Sequence, residues 1–157
     1  MVIEISETND YRLIAQLNVE VQNLHAQLHP GLFKPHNKDE IEKALAAFLS
    51  DPSCRTYLAH FNGIPIGYAL FFIREINENA FHYQLKSLYI DQIAVLSKYQ
   101  QTGAGKLLME QAELLAKANG IHRIELDHWS LNTVAAEYFR RRGFTLCKER
   151  LFKELKS

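Results

Sequence analysis

The chain has little that would tie it to a secreted, membrane or nucleic-acid setting. Its 157 residues hold only two cysteines, Cys54 and Cys147, too few for a disulfide framework or a metal knuckle, so both read as free thiols of a reducing compartment. Neither charge is in excess. Eighteen Lys and Arg balance 18 Asp and Glu, which removes the global positive field that draws a protein to nucleic acid or anionic lipid. The basic start and apolar run of a secretion signal are also missing, because Glu4, Glu7 and Asp10 crowd the N-terminus. The longest uncharged stretch, 56–73, is broken by His60, Asn62-Gly63 and Pro65, so it reads as two strands and a turn rather than a bilayer helix. The expectation is a cytoplasmic protein with no membrane and no nucleic-acid partner, in which a charged ligand meets a local site.

What is present is an ordinary globular composition, 47% apolar and 23% charged, which fits a single domain over 1–157. Alternation predicts a strand at 2–6, and Asn9 or Asp10 can cap a helix with an apolar stripe at Ile14, Leu17, Val21, Leu24 and Leu28. Pro30 ends it. Asp39 is expected to cap a second helix, with Ile41, Ala44, Leu45, Phe48 and Leu49 on its buried side. Strands at 56–61 and 64–73 flank the Asn62-Gly63 turn, and a third run at 83–95 completes an antiparallel meander. A helix follows Gly105 and stops at Asn119-Gly120, a left-handed C-cap. Then come a strand at 121–129, a helix from its cap Asn132 to Gly143, and a strand at 144–152. The strand-helix-strand unit across Gly105 makes one parallel pair. The fold class is therefore α/β, a mixed, mostly antiparallel sheet with helices on both faces.

The most informative stretch runs from Val95 through Gln100, Gln101, Thr102, Gly103, Ala104 and Gly105 to Lys106, leaving a strand and entering a helix. Glycines at a helix N-terminus let the backbone approach a ligand, and the free N–H groups there favour an anion such as pyrophosphate. A tight turn that needs glycine only for its backbone angles is the other reading. A Walker loop fails, because Gln100 and Leu107 stand where glycine and a magnesium-binding hydroxyl are needed. A dinucleotide fingerprint fails too, with Leu108 in place of the third glycine.

Gln100-x-x-Gly103-x-Gly105 resembles the Q/R-x-x-G-x-G/A signature of the GNAT superfamily of N-acetyltransferases. Ile93-Ala94-Val95 is similar to that family's strand ending, and Asn132-x-x-Ala135-x-x-Tyr138-Phe139-x-x-x-Gly143-Phe144 is similar to its next block. The element order also matches. The resemblance implies a GNAT fold and direct transfer of acetyl from the cosubstrate acetyl-coenzyme A to an amine, with no metal. It implies that the N–H groups from Gln101 to Lys106 hold the pyrophosphate, that Ile93 and Val95 hold the pantetheine arm, and that the Val95 N–H polarises the thioester carbonyl. Asn132 would contact the cofactor arm as well as cap its helix.

An amine must lose a proton to attack, so a base is needed. Tyr89-Ile90-Asp91 resembles the Tyr-Leu-Glu of spermidine/spermine acetyltransferases, which makes Asp91 the candidate; its other reading is a strand residue paired with a nearby Lys or Arg. Many family members carry a tyrosine acid where Phe139 stands here, and the adjacent Tyr138 ranks below direct thiolate release to water. Phe139 therefore keeps a second reading open, a sensor that binds acyl-coenzyme A without transferring. The resemblance also brings His25, Phe33 and Tyr83 toward the acceptor, the other reading of each being a partly buried histidine or aromatic ring beneath a loop, and makes a homodimer a candidate state. His25-x-x-x-His29 with His36 lacks an evident zinc partner set, and Asp127-His128 cannot pair because strand neighbours point apart.

Overall fold

The structure is a computed structural model that describes residues 2–157. Strand β1 (Ile3–Glu7) leads to helix α1 (Tyr11–Leu28), whose N-cap is Asp10: its carboxylate accepts from Leu13 N–H at 3.1 Å. Helix α2 (Lys38–Ser50) is capped by Asn37, not by Asp39. The Asn37 side chain reaches the Glu40 N–H at 3.0 Å, while Asp39 and Glu40 lie in the first turn, where their charge complements the helix dipole.

Strands β2 (Cys54–Phe61) and β3 (Ile64–Ile76) meet at a tight turn in which Asn62 and Gly63 both have positive φ, 49° and 79°, as a two-residue hairpin of this twist requires. Strand β4 (Leu85–Val95) pairs with β3, helix α3 (Ala104–Ala118) crosses over, and β5 (Ile124–Leu126) returns parallel to β4. The sheet order is β1-β2-β3-β4-β5, antiparallel except for the last pair. The strand expected at 121–129 is thus only three residues long. Ile121 is buried, but 121–123 leave the helix cap without ladder geometry.

Alternation along the meander sends successive side chains to opposite faces. Tyr68 and Leu70 join Ile14, Leu17, Leu45 and Leu58 in a core under α1 and α2. Phe71 faces the other way, against Tyr57 at 5.8 Å between ring centroids, and the Tyr57 hydroxyl meets Gln111 of α3. Leu108, Met109 and Ala112 bury that helix. Its end is a Schellman cap: Ile121 N–H reaches Ala116 O at 2.8 Å and Gly120 N–H reaches Lys117 O at 3.1 Å, with Gly120 at φ 66°.

The chain divides into two compact units, Met1–Asp127 and His128–Ser157. The second contains helix α4 (Thr133–Arg141), capped by the Asn132 side chain on Ala135 N–H at 3.1 Å and closed by Phe144 N–H on Phe139 O at 3.1 Å. Arg140 and Arg141 both hydrogen-bond Glu137, which drags that carboxyl down to about 2. The strand expected at 144–152 is not formed. A strand needs a neighbour for its N–H and C=O groups; these residues enter no ladder, and Leu146, Leu151 and Phe152 are exposed.

Candidate active site

The loop between β4 and α3 is assembled by contacts from three elements. Leu96 N–H bonds Ile66 O on β3 at 2.8 Å, Glu20 of α1 accepts from Ser97 N–H at 2.8 Å, and the Tyr99 ring stacks near Phe61 of β2 at 5.9 Å. Residues Ser97–Tyr99 make one 3-10 turn. Gln101 then takes φ 66° and Gly103 φ 94°. The first is a left-handed glutamine, a conformation that costs about 1–2 kcal/mol in a residue with a Cβ.

Helix α3 starts at Ala104 with no side-chain cap, unlike α1, α2 and α4. The N–H groups of Ala104, Gly105 and Lys106 have no partner one turn back, as at every helix start, and Gly103 has open space where a Cβ would stand. The Thr102 hydroxyl donates to Tyr99 O at 2.6 Å, and Lys106 sits 3.7 Å from Glu110 one turn on.

The strand that feeds this turn is half-partnered. Gly67 faces Val95 across the antiparallel ladder, and a Cβ at Gly67 would lie 2.7 Å from Ala94 O, so glycine is what permits this approach. On the other edge the parallel register runs from Leu88 to Ile90 against 124–126 and then stops. Because Leu96 N–H points to β3, alternation turns the N–H groups of Ile93 and Val95 toward that open edge. The Gln100 amide donates to Val95 O at 3.4 Å, a carbonyl on the same edge.

Sequence reasoning did not foresee a bulge in β4. Leu70 faces Gln92 and Phe71 faces Ile90, which leaves Asp91 as the extra residue. The bulge places Asp91 and Gln92 together on the α1/α2 side, near Tyr68, Cys54 and Arg74. Asp91 is exposed as a residue, but partial desolvation of its carboxyl against the sheet raises it above the usual aspartate range, while Gln92 and Arg74 act the other way. Burial also lifts the Cys54 thiol to about 11, so it stays protonated. Tyr89 sits under the Arg74 guanidinium, 3.5 Å from its ring centroid, and donates to Asp127 at 2.8 Å; burial and that carboxylate push its phenol to about 12. Behind the bulge, Asn18 Nδ2 donates to the Tyr68 hydroxyl at 3.0 Å, and Tyr68 donates to Gln92 Oε1 at 2.6 Å. Asn18 stands on the apolar stripe of α1, and that misplaced amide was the only sign of this chain in the sequence.

His25 and Phe33 come together, rings 5.0 Å apart, and burial lowers the His25 pKa, with His29 adding to the effect. Tyr83 lies on the loop after β3, 88% exposed, outside that ring pair. One ring nitrogen of His36 lies 2.9 Å from Ala15 O. Among the described residues no three His, Cys, Asp or Glu side chains converge as a metal site would need. In the second unit, Phe139 packs edge-on against Tyr138 and Phe144, at 5.4 and 5.7 Å. The Tyr138 hydroxyl is buried without a hydrogen-bond partner, and burial raises its pKa.

This is a mixed α/β protein whose one parallel pair opens beside an uncapped, glycine-led helix. The acetyltransferase (GNAT) family model matches residues 18–144, and the chain belongs to that family. The BH1408 protein of Bacillus halodurans shares the fold at a TM-score of 0.89 and 20% identity, over 99% of this chain and 100% of that one. AAC(6')-Iy, solved with the bisubstrate analog CoA-S-monomethyl-acetylneamine, matches at 0.72 and 20%, over all of both chains. Ribosomal-protein-alanine N-acetyltransferase of Brucella melitensis matches at 0.66 and 13%, over 98% of this chain and 100% of that one. Among curated protein sequences nothing matches.

Proposed function

We propose that the protein transfers an acetyl group from acetyl-coenzyme A to a primary amine of a small molecule or peptide, by direct attack. The observation that carries this reading is the uncapped start of α3 behind Gly103, set where β4 loses its parallel partner. Those N–H groups and that open edge fit a pyrophosphate and an extended arm that pairs like a strand. Acetyl-coenzyme A supplies the activated thioester. Gln101 to Lys106 would bind its diphosphate, with Gln100 shaping the loop; Ile93, Ala94 and Val95 would line its arm, and Asn132 and Phe139 would complete the cofactor contacts. The Val95 N–H would donate to the thioester oxygen as negative charge develops there. Asp91 would take the amine proton, through water because its side chain is short. The thiolate leaves to solvent, with Tyr138 as the next candidate to protonate it.

His25, Phe33 and Tyr83 are the acceptor-side candidates. The bisubstrate complex of AAC(6')-Iy supports including aminoglycosides among the acceptors tried. The family match crosses the boundary at Asp127, which supports treating 1–157 as one N-acetyltransferase domain, and the chain is read as cytoplasmic. No helix among the described residues is long and apolar enough to cross a membrane. Phe139, which offers a ring and no hydroxyl, supports the second reading, an acyl-coenzyme A sensor.

The test is calorimetry with acetyl-coenzyme A, followed by thiol release across polyamines, amino acids, aminoglycosides and short peptides against a no-amine control. Binding plus amine-dependent release is expected. Absence of binding ends both readings, and binding with background release for every amine transfers the case to the sensor.

A further inference from the structure

We propose that Glu20 is a positioning residue for the turn between β4 and α3: its carboxylate, reaching across from α1, holds the end of β4 in the shape that aims the Val95 N–H at the open edge. The proposal rests on the reading of that turn and edge as the acetyl-coenzyme A site. Its basis is a hydrogen bond in which Ser97 N–H donates to Glu20 Oε2 at 2.8 Å, between residues 77 positions apart.

The turn needs an outside partner at this point. Residues Ser97–Tyr99 start a 3-10 turn after Leu96 with no side-chain cap from the N-cap residue, and the first N–H groups of such a turn have no acceptor within it. Glu20 supplies the acceptor for Ser97, the first of them. One residue earlier, Leu96 N–H donates to Ile66 O at 2.8 Å, while the Leu96 side chain packs on the core under α1 and α2. Two consecutive N–H groups are thus pinned by different elements, one by β3 and the next by α1. Val95 comes immediately before this pair, so a rotation of the chain at Leu96 or Ser97 would carry its N–H off the edge.

Helix α1 is a firm base for the contact, because ties on several sides fix it. Ile14 and Leu17 are buried, Asn18 donates to the Tyr68 hydroxyl at 3.0 Å, the Gln22 amide donates to Lys34 O at 2.8 Å, and Asn23 Oδ1 accepts from His36 N–H at 2.9 Å. A side chain anchored on such a helix holds its partner more closely than one on a loop. The remaining bonds of the turn close it on itself: Thr102 donates to Tyr99 O and Gln100 to Val95 O. Glu20 instead joins it to the helix that carries His25.

The charge of Glu20 works against an anionic ligand, since a carboxylate beside a turn that takes a diphosphate repels it. Position and charge therefore have opposite signs, and two variants separate them. Glu20→Gln keeps an acceptor oxygen and removes the charge, whereas Glu20→Ala removes both and leaves a good helix former in α1.

The experiment follows the Ser97 amide by hydrogen exchange in the free protein and measures acetyl-coenzyme A binding by calorimetry, with kcat for acetyl transfer. In Glu20→Ala, Ser97 protection and cofactor affinity are each expected to fall about fivefold, the scale of one lost capping hydrogen bond, and kcat is expected to fall as Val95 loses its aim. Glu20→Gln is expected to keep most of the protection and to bind the cofactor no more weakly than the parent. Ser97 protection unchanged in Glu20→Ala overturns the proposal. Equal loss of affinity in both variants also overturns it, because the charge and not the held position would then be what matters. Failure of the underlying reading looks different: the parent would bind no acetyl-coenzyme A, while the Ser97 amide would still report whether Glu20 holds the turn.

Discussion

At the scale of single residues, Asp91 is where stability and chemistry pull in opposite directions. Its carboxyl is raised by burial, so the folded state holds the proton more tightly than the unfolded chain does. The stability it contributes is full below the ordinary aspartate pKa and is lost as pH rises through the folded value. At neutral pH its charge therefore weakens the fold. Asp91→Asn is expected to melt no lower than the parent at pH 7, while kcat falls about a hundredfold or more and the rise of rate with pH flattens. Thermal melting and a rate profile check both halves, and affinity for acetyl-coenzyme A should not change. Cys54, close by, gives a contrast: a thiol pushed to about 11 is an inert neighbour and offers no nucleophile.

At the scale of elements, two glycines control the same opening by different means. Gly103 has space for a Cβ but stands at φ 94°, so Gly103→Ala is expected to cost about 1–2 kcal/mol through backbone strain and to weaken coenzyme A binding. Gly67 has an ordinary φ but no room, since a Cβ would lie 2.7 Å from Ala94 O. Gly67→Ala is therefore expected to cost about 1–3 kcal/mol by forcing β3 and β4 apart. Denaturant midpoints measure both losses. Exchange protection of the Leu96 amide, bonded to Ile66 O, should fall only in Gly67→Ala. The same protection lost equally in both variants would show that the two glycines do not act separately.

For the whole molecule, the unformed strand at 144–152 has the clearest consequence. Leu151, Phe152 and Leu155 are each more than 80% exposed, on a segment whose backbone enters no ladder. Clustered large apolar groups of this kind are unusual on a monomer's surface. A homodimer that covers this segment is expected. Sedimentation should show a concentration-dependent dimer, and Leu151→Lys combined with Phe152→Lys should return it to monomer. A parent chain that stays monomeric at high concentration would end this expectation.

The amino-acid sequence by itself determined what depends on neighbours a few positions apart. The hairpin at Asn62-Gly63 needs two residues tolerant of positive φ, and the Asn119-Gly120 and Gly143 stops need a left-handed glycine. The stripe expected from Ile14 to Leu28 needs only helical period, but burial holds at Ile14 and Leu17 and not at Leu24. The glycine-led start of α3 was legible for the same reason. Tertiary structure decided whatever depends on a partner far along the chain. The 124–126 strand is as short as its pairing with β4, and 144–152 has no ladder. The bulge at Asp91 arises from a register between β3 and β4 that no local pattern encodes, and it joins Gln92 and Tyr68 to Asn18, 50 positions before Tyr68. Backbone angles and periodicity are local energies written in adjacent residues, whereas pairing and burial are satisfied only when distant segments meet.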